Sequence, residues 1–153
     1  MATLERIRAQ DGGKAKLAMT MWICHTERPL LVDELCHALA VEIGSTHFSN
    51  DNVPGTETLL TCCQGLVAAD KEASTFRLVH HTLLEYLSTH PDFFARAHLV
   101  IAETCLTYLN SDQAKALPAK PQPDLSSMPF LKYCSRYWGT ERITPVPLES
   151  MLP

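Results

Sequence analysis

The side chains of this sequence able to do chemistry are chiefly its seven histidines and six cysteines. The histidines are His25, His37, His47, His80, His81, His90 and His98. None forms an i, i+4 pair enclosing an acid, the spacing a helical zinc hydrolase needs. The cysteines are Cys24, Cys36, Cys62, Cys63, Cys105 and Cys134. No CxxC pair occurs among them, so neither a zinc ribbon nor a thioredoxin-type site is signalled. Cys62 and Cys63 are adjacent, and adjacent helical residues point about 100° apart. Buried small apolar side chains explain them more simply than a vicinal disulfide. A metal site drawing on Cys24-His25, Cys36-His37 and His80-His81, or a Cys–His nucleophile pair, has no support from spacing. One histidine stands out by position. His80 ends a β-rich run, Thr75 to Val79, just where a helical run begins. Its simplest role is a core-facing imidazole satisfied by a backbone carbonyl.

The chain of 153 residues suits one domain, or one small domain with a helical extension. Its apolar share of 46% is enough for a core. The formal net charge of −4 argues against non-specific binding to nucleic acid or anionic membranes. Met1 to Gly13 has no apolar h-region, and no apolar run approaches the roughly 20 residues of a membrane span. The expectation is a soluble, cytoplasmic protein with reduced thiols, no cofactor and no metal.

The elements that must position His80 can be read from periodicity. A first helix is expected over Lys14 to Thr26, with Leu17, Met21 and Cys24 inward and Ala18 and Trp22 widening that stripe. Arg28-Pro29 ends it, and Pro29-Leu30 is a short extended piece. A second helix spans Val32 to Glu42, with Leu35 and Leu39 inward, helped by Leu31 and Ala38. Asp33 and Glu34 sit in its first turn, where negative charge suits the dipole. Leu31 offers no capping acceptor. Gly44 to Pro54 is a loop. Thr56 to Gln64 is a third helix with Leu59, Leu60 and Cys63 inward, closed by Gly65. The hairpin Val67–Val79 comes next, turning at Asp70 to Ser74. Phe76 and Leu78 face the core, and His80 continues that face. His81 to Leu87 turns helical, with Thr82 and Glu85 placed as a capping box. A longer helix, Phe94 to Asn110, carries His98, Ala102, Cys105, Leu106 and Leu109 as its stripe. Ser111 to Ser127 is a proline-containing linker. Met128 to Trp138 is a last, aromatic-rich helix.

The order helix, extended piece, helix, helix, hairpin is that of a winged helix-turn-helix. The fold class is mainly α, a winged helix-turn-helix with one small β-hairpin and a C-terminal helical extension. The division expected is residues 1–13 as a flexible segment, 14–89 as the winged-helix domain, 90–139 as the helical extension with a mobile linker at 111–127, and 140–153 as a disordered tail. In DNA-binding members Thr56–Gln64 would be the reading helix. Here it carries Thr56, Glu57, Thr58, Thr61 and Gln64 and no Arg or Lys. Phosphate contact needs cations, so a DNA-binding winged helix is the disfavoured alternative.

Five blocks carry a resemblance: RPLLVDELCHALAVE (Arg28–Glu42), NVPGTETLLTCCQGLV (Asn52–Val67), TFRLVHHTLLEYL (Thr75–Leu87), IAETCLTYLN (Ile101–Asn110) and PFLKYCSRYWG (Pro129–Gly139). Together they resemble the winged-helix and following helical region of fungal NACHT proteins. Those are NLR-like STAND signal-transduction ATPases, often with ankyrin repeats. The same winged helix occurs in fungal GPI inositol-deacylase-like proteins. Gly55-Thr56 and Leu31 depart from the usual Ser/Thr starts of two helices, which touches capping only. The sequence holds no GxxxxGK[ST] phosphate loop, so the resemblance implies a regulatory segment or fragment, not the ATPase. In such ATPases a winged-helix histidine contacts the β-phosphate of bound ADP, in a pattern similar to H-x-[ST]-x-x-E-[YF]. His80 to Tyr86, HHTLLEY, fits it. The resemblance therefore implies His80 as a nucleotide-sensing contact when a NACHT domain is supplied, while His81 is a surface or helix-start residue. The function implied is a non-enzymatic regulatory and protein-interaction module. Its partner would be a NACHT NTPase domain in cis or trans, or a neighbouring repeat domain, with no nucleic acid and no membrane.

Overall fold

The computed structural model describes residues 12–63, 65–80, 82, 85–86, 89, 95–117 and 126–139, with the backbone alone for 12–17. Its elements are helices α1 (Gly12–His25), α2 (Val32–Ala40) and α3 (Thr56–Cys63), strands β1 (Val67–Asp70) and β2 (Thr75–Leu78), then α4 (Ala97–Leu109), α5 (Asp112–Lys115) and α6 (Leu131–Tyr137). A 3-10 turn, Asn50–Asn52, interrupts the loop before α3. The chain is mainly α, with one antiparallel hairpin in the register Val67↔Leu78 to Asp70↔Thr75. That is a winged helix with a helical extension. Among the described residues no helix is long and apolar enough to cross a membrane.

The hairpin forms where β-rich residues flank a polar turn. Asp70 Oδ1 accepts from the N–H groups of Glu72 and Ala73, both at 3.1 Å, an Asx-type turn. Ser74 then takes a positive φ of 54° to bring the chain back. Gly65, at φ 82°, makes the left-handed exit from α3 that a Cβ would oppose. The expected extended piece contributes only one bridge, Leu31↔Thr75, with Val32 N–H donating to Ser74 O at 2.8 Å.

The core is shared between the winged helix and the extension. Phe130, fully buried just before α6, meets Trp22 of α1 edge-on at 5.8 Å and Tyr108 of α4 at 5.2 Å. It also stacks on Tyr133 at 5.7 Å. Edge-to-face pairs of this kind add about 0.5–1.5 kcal/mol each beyond area burial. Leu35, Leu59, Cys63 and Phe76 close the other side of the same core.

Several faces differ from those expected. In α1 the buried positions include Met19 and Trp22, while Met21, Cys24 and Ala18 are half-buried. In α2 Leu35, Cys36, Ala38 and Ala40 are buried, Leu39 is half-buried and Leu31 is exposed. In α4 the buried face is Ala97, Ile101, Thr104, Cys105 and Tyr108, and Leu106 is exposed. α1 and α4 are apolar almost all round, so periodicity does not single out a face. Aromatic partners distant in sequence decide it. α1 starts at Gly12, inside the segment expected to be flexible. The linker expected at 111–127 begins as structure. Ser111 is buried and caps α5, accepting from Ala114 N–H at 3.3 Å. Gln113 bonds to both backbone groups of Phe48. The helix expected over His81–Leu87 and the tail after 139 lie largely or wholly outside the described residues.

Candidate functional site

β2 delivers His80, and its environment is set by how that strand ends. Phe76 is buried and Leu78 half-buried, as the alternation predicts, but Val79 and His80 are both exposed. His80 therefore does not continue the core face, and the core-histidine expectation is corrected. The strand stops at Leu78 and bends at Val79. Period-two alternation holds only while the pleat continues. No hydrogen bond joins the His80 ring to any described residue.

His80 sits at the mouth of a cleft of about 300 Å³. Its walls are Trp22 and Ile23 from α1, Pro29 and Leu30 from the extended piece, Leu35 from α2, and Phe76 and Leu78 from β2. Arg77 and Thr75 complete the lining. Arg77 is exposed, and no acidic residue takes part in this lining. The result is an apolar slot with the Arg77 guanidinium and the His80 imidazole in its lining.

A network that sequence reasoning missed lies next to the slot, in the turn that precedes α2. Arg28 donates from Nη1 to Glu34 Oε1 at 2.8 Å and from Nη2 to Oε2 at 2.7 Å. Glu34 is only 2% exposed. Its Oε1 also accepts from Leu31 N–H at 2.9 Å, which supplies half of a capping box where Leu31 itself has no acceptor. The Arg28 guanidinium lies 5.2 Å from the Tyr133 ring centre and 6.0 Å from that of Tyr137. Glu27 N–H donates to the Tyr133 hydroxyl at 3.0 Å. These contacts tie residues 27 and 28 to both α2 and α6. The sequence held one signal for this: an acid three residues after a helix start without an acceptor.

The remaining candidates do not converge. His37 Nδ1 meets the Tyr108 hydroxyl at 3.0 Å and its ring stacks on Phe48 at 5.1 Å. Burial lowers its pKa, against a smaller upward pull from Asp33. His25 packs edge-on against His98 at 5.6 Å. His47 Nδ1 lies 3.0 Å from Gln113 Nε2. His81 and His90 lie outside the described residues. His25 and His37 thus turn to different neighbours, and His80 lines the cleft apart from both. Among the described residues no group of three or more His, Cys, Asp and Glu is placed to hold a metal. All six cysteines are free thiols. Burial pushes Cys36 up to about 11 and raises Cys24 and Cys134. That is opposite to what a nucleophilic thiolate requires. α3 places Glu57 and Thr61 at the surface and carries no Lys or Arg.

Comparison with known proteins gives one family. The model of the GPI inositol-deacylase winged helix domain matches residues 4–96, more than half of the chain. No curated protein matches the chain, and no solved structure does. The matched span takes in α1, α2, α3, the hairpin and His80, and with them every residue that lines the cleft. The chain belongs to the GPI inositol-deacylase winged helix domain family.

Proposed function

We propose that the chain is a non-enzymatic regulatory and protein-interaction module. It packs against a NACHT NTPase domain, in cis or in trans, and couples that domain's nucleotide state to a neighbouring domain. A winged-helix family and an α3 without cations support a protein partner over nucleic acid. The observation that carries the reading is His80: a solvent-facing imidazole, unbonded within the described residues, at the strand end beside an apolar cleft. An imidazole N–H directed outward donates to a phosphate on a docked domain, and the apolar walls supply the surface that docking buries.

The test is a His80→Leu substitution at the matching position of an intact NACHT protein that carries this winged helix. ADP release is expected to accelerate and basal signalling to rise. ADP retention and activity both equal to wild type would remove His80 from the mechanism.

A further inference from the structure

The edge of β2 that faces the cleft is left unpaired at its Leu78 end among the described residues. Val79 N–H donates to Leu66 O at 2.9 Å, which fixes the odd-numbered residues of β2 as those turned toward β1. The even-numbered residues turn their N–H and C=O groups the other way, and Val32 N–H duly bonds Ser74 O on that side at 2.8 Å. Pairing on that side stops after the single Leu31↔Thr75 bridge. Pro29 has no N–H to give, and Arg28 is held by Glu34 and the Tyr133 ring. The Leu78 N–H and C=O consequently have no hydrogen-bond partner among the described residues. A strand edge of this kind is a template for another backbone. Beneath it lies the apolar cleft, and beside it stand Arg77 and His80 without an acid in the lining.

We infer that β2 and the cleft form a strand-addition site for an extended segment of a partner protein. The segment pairs with the Leu78 edge, drops one large aliphatic or aromatic side chain into the cleft, and sets a carboxylate against Arg77 and His80. The cleft volume of about 300 Å³ suits one bulky side chain, at the lower limit for small-molecule pockets. Backbone pairing supplies affinity, while the side-chain slot and rim charges supply selection. The inference deepens the interaction-module reading and relies on it. It is independent of any NACHT partner and of a nucleotide contact by His80.

Selection of a random displayed peptide library on the full chain tests it. The expected consensus is a large apolar residue with Asp or Glu close by in an extended segment. Bound peptide is expected to shift the amide resonances of Phe76 to His80. Arg77→Glu, at an exposed position, should weaken the selected peptides about tenfold by turning a rim attraction into repulsion. N-methylation of the central peptide amide should weaken them as well. Ile23→Trp, which fills the slot, gives a second variant, used if its thermal unfolding matches wild type. Failure to select any peptide, a consensus without acidic residues, or binding unaffected by Arg77→Glu and N-methylation overturns the inference. None of these outcomes bears on ADP retention, so the two readings fail separately.

Discussion

Replacing Arg28 with alanine tests the network that ties the extension to the winged helix. Arg28→Ala would leave the Glu34 carboxylate, 2% exposed, with only the Leu31 N–H as partner among the described residues. Breaking a fully buried pair by removing one partner costs about 3–5 kcal/mol. The Arg28 side chain is 32% exposed, so water replaces part of what is lost. That brings the loss below the fully buried range, to about 2 kcal/mol. Loss of the guanidinium over Tyr133 and Tyr137 adds about 0.5–1 kcal/mol. The expected destabilisation is about 2–3 kcal/mol. With a urea m-value of about 2 kcal/mol/M, the midpoint falls by roughly 1 M or slightly more. Arg28→Lys should recover only part, because lysine keeps the charge but not the two-pronged geometry or the stacking. Glu34→Gln should cost less than Arg28→Ala, since the amide oxygen still accepts from Leu31 and no buried charge is stranded. Equilibrium urea unfolding followed by far-UV circular dichroism measures all three. A loss below about 0.5 kcal/mol for Arg28→Ala would place the pair among ordinary surface ion pairs and refute the argument.

Burial leads to two further expectations. In native protein near pH 8, iodoacetamide should modify Cys24 and Cys62, which are half-buried, and spare Cys36, Cys63, Cys105 and Cys134 until denaturant is added. Mass spectrometry counts the labels, and rapid native labelling of a buried thiol would contradict the packing around it. His37 contributes a pH dependence of known sign. Its folded-state pKa lies below the ordinary 6.5, so beneath that value the unfolded chain binds a proton the folded chain refuses. Stability should therefore fall as pH drops through 6.5 toward the lower folded value, with no contribution from His37 above it. His37→Gln should flatten that part of the profile, and an unchanged slope would exclude the residue as its source.

The fold was legible where local chemistry decides it. The Asp70–Ser74 turn, the TFRL strand and Gly65 locate the wing from sequence, and short-range pattern places α2 and α3. Long-range packing hides the rest. α1 and α4 have apolar residues on most faces, and Phe130, more than a hundred residues from Trp22, chooses which ones are buried. Glu34 reads as a helix-start charge because its bond to Arg28 depends on a turn through Pro29, and Tyr133 is just as distant. The position of His80 is legible in sequence but its exposure is not, since alternation gives no warning of where a strand bends. The cleft itself has no sequence signature. Its walls come from α1, the turn through Pro29, α2 and β2, segments up to about sixty residues apart.

The central proposal is that the chain engages an NTPase domain in a nucleotide-dependent way. Isothermal titration of the full chain into a purified NACHT domain, loaded with ADP or with a non-hydrolysable ATP analogue, tests it directly. Saturable binding to the ADP form, weaker binding to the ATP form, and a loss of that preference in His80→Leu are predicted. Absence of heat in both nucleotide states, or equal affinity for the two, would contradict it.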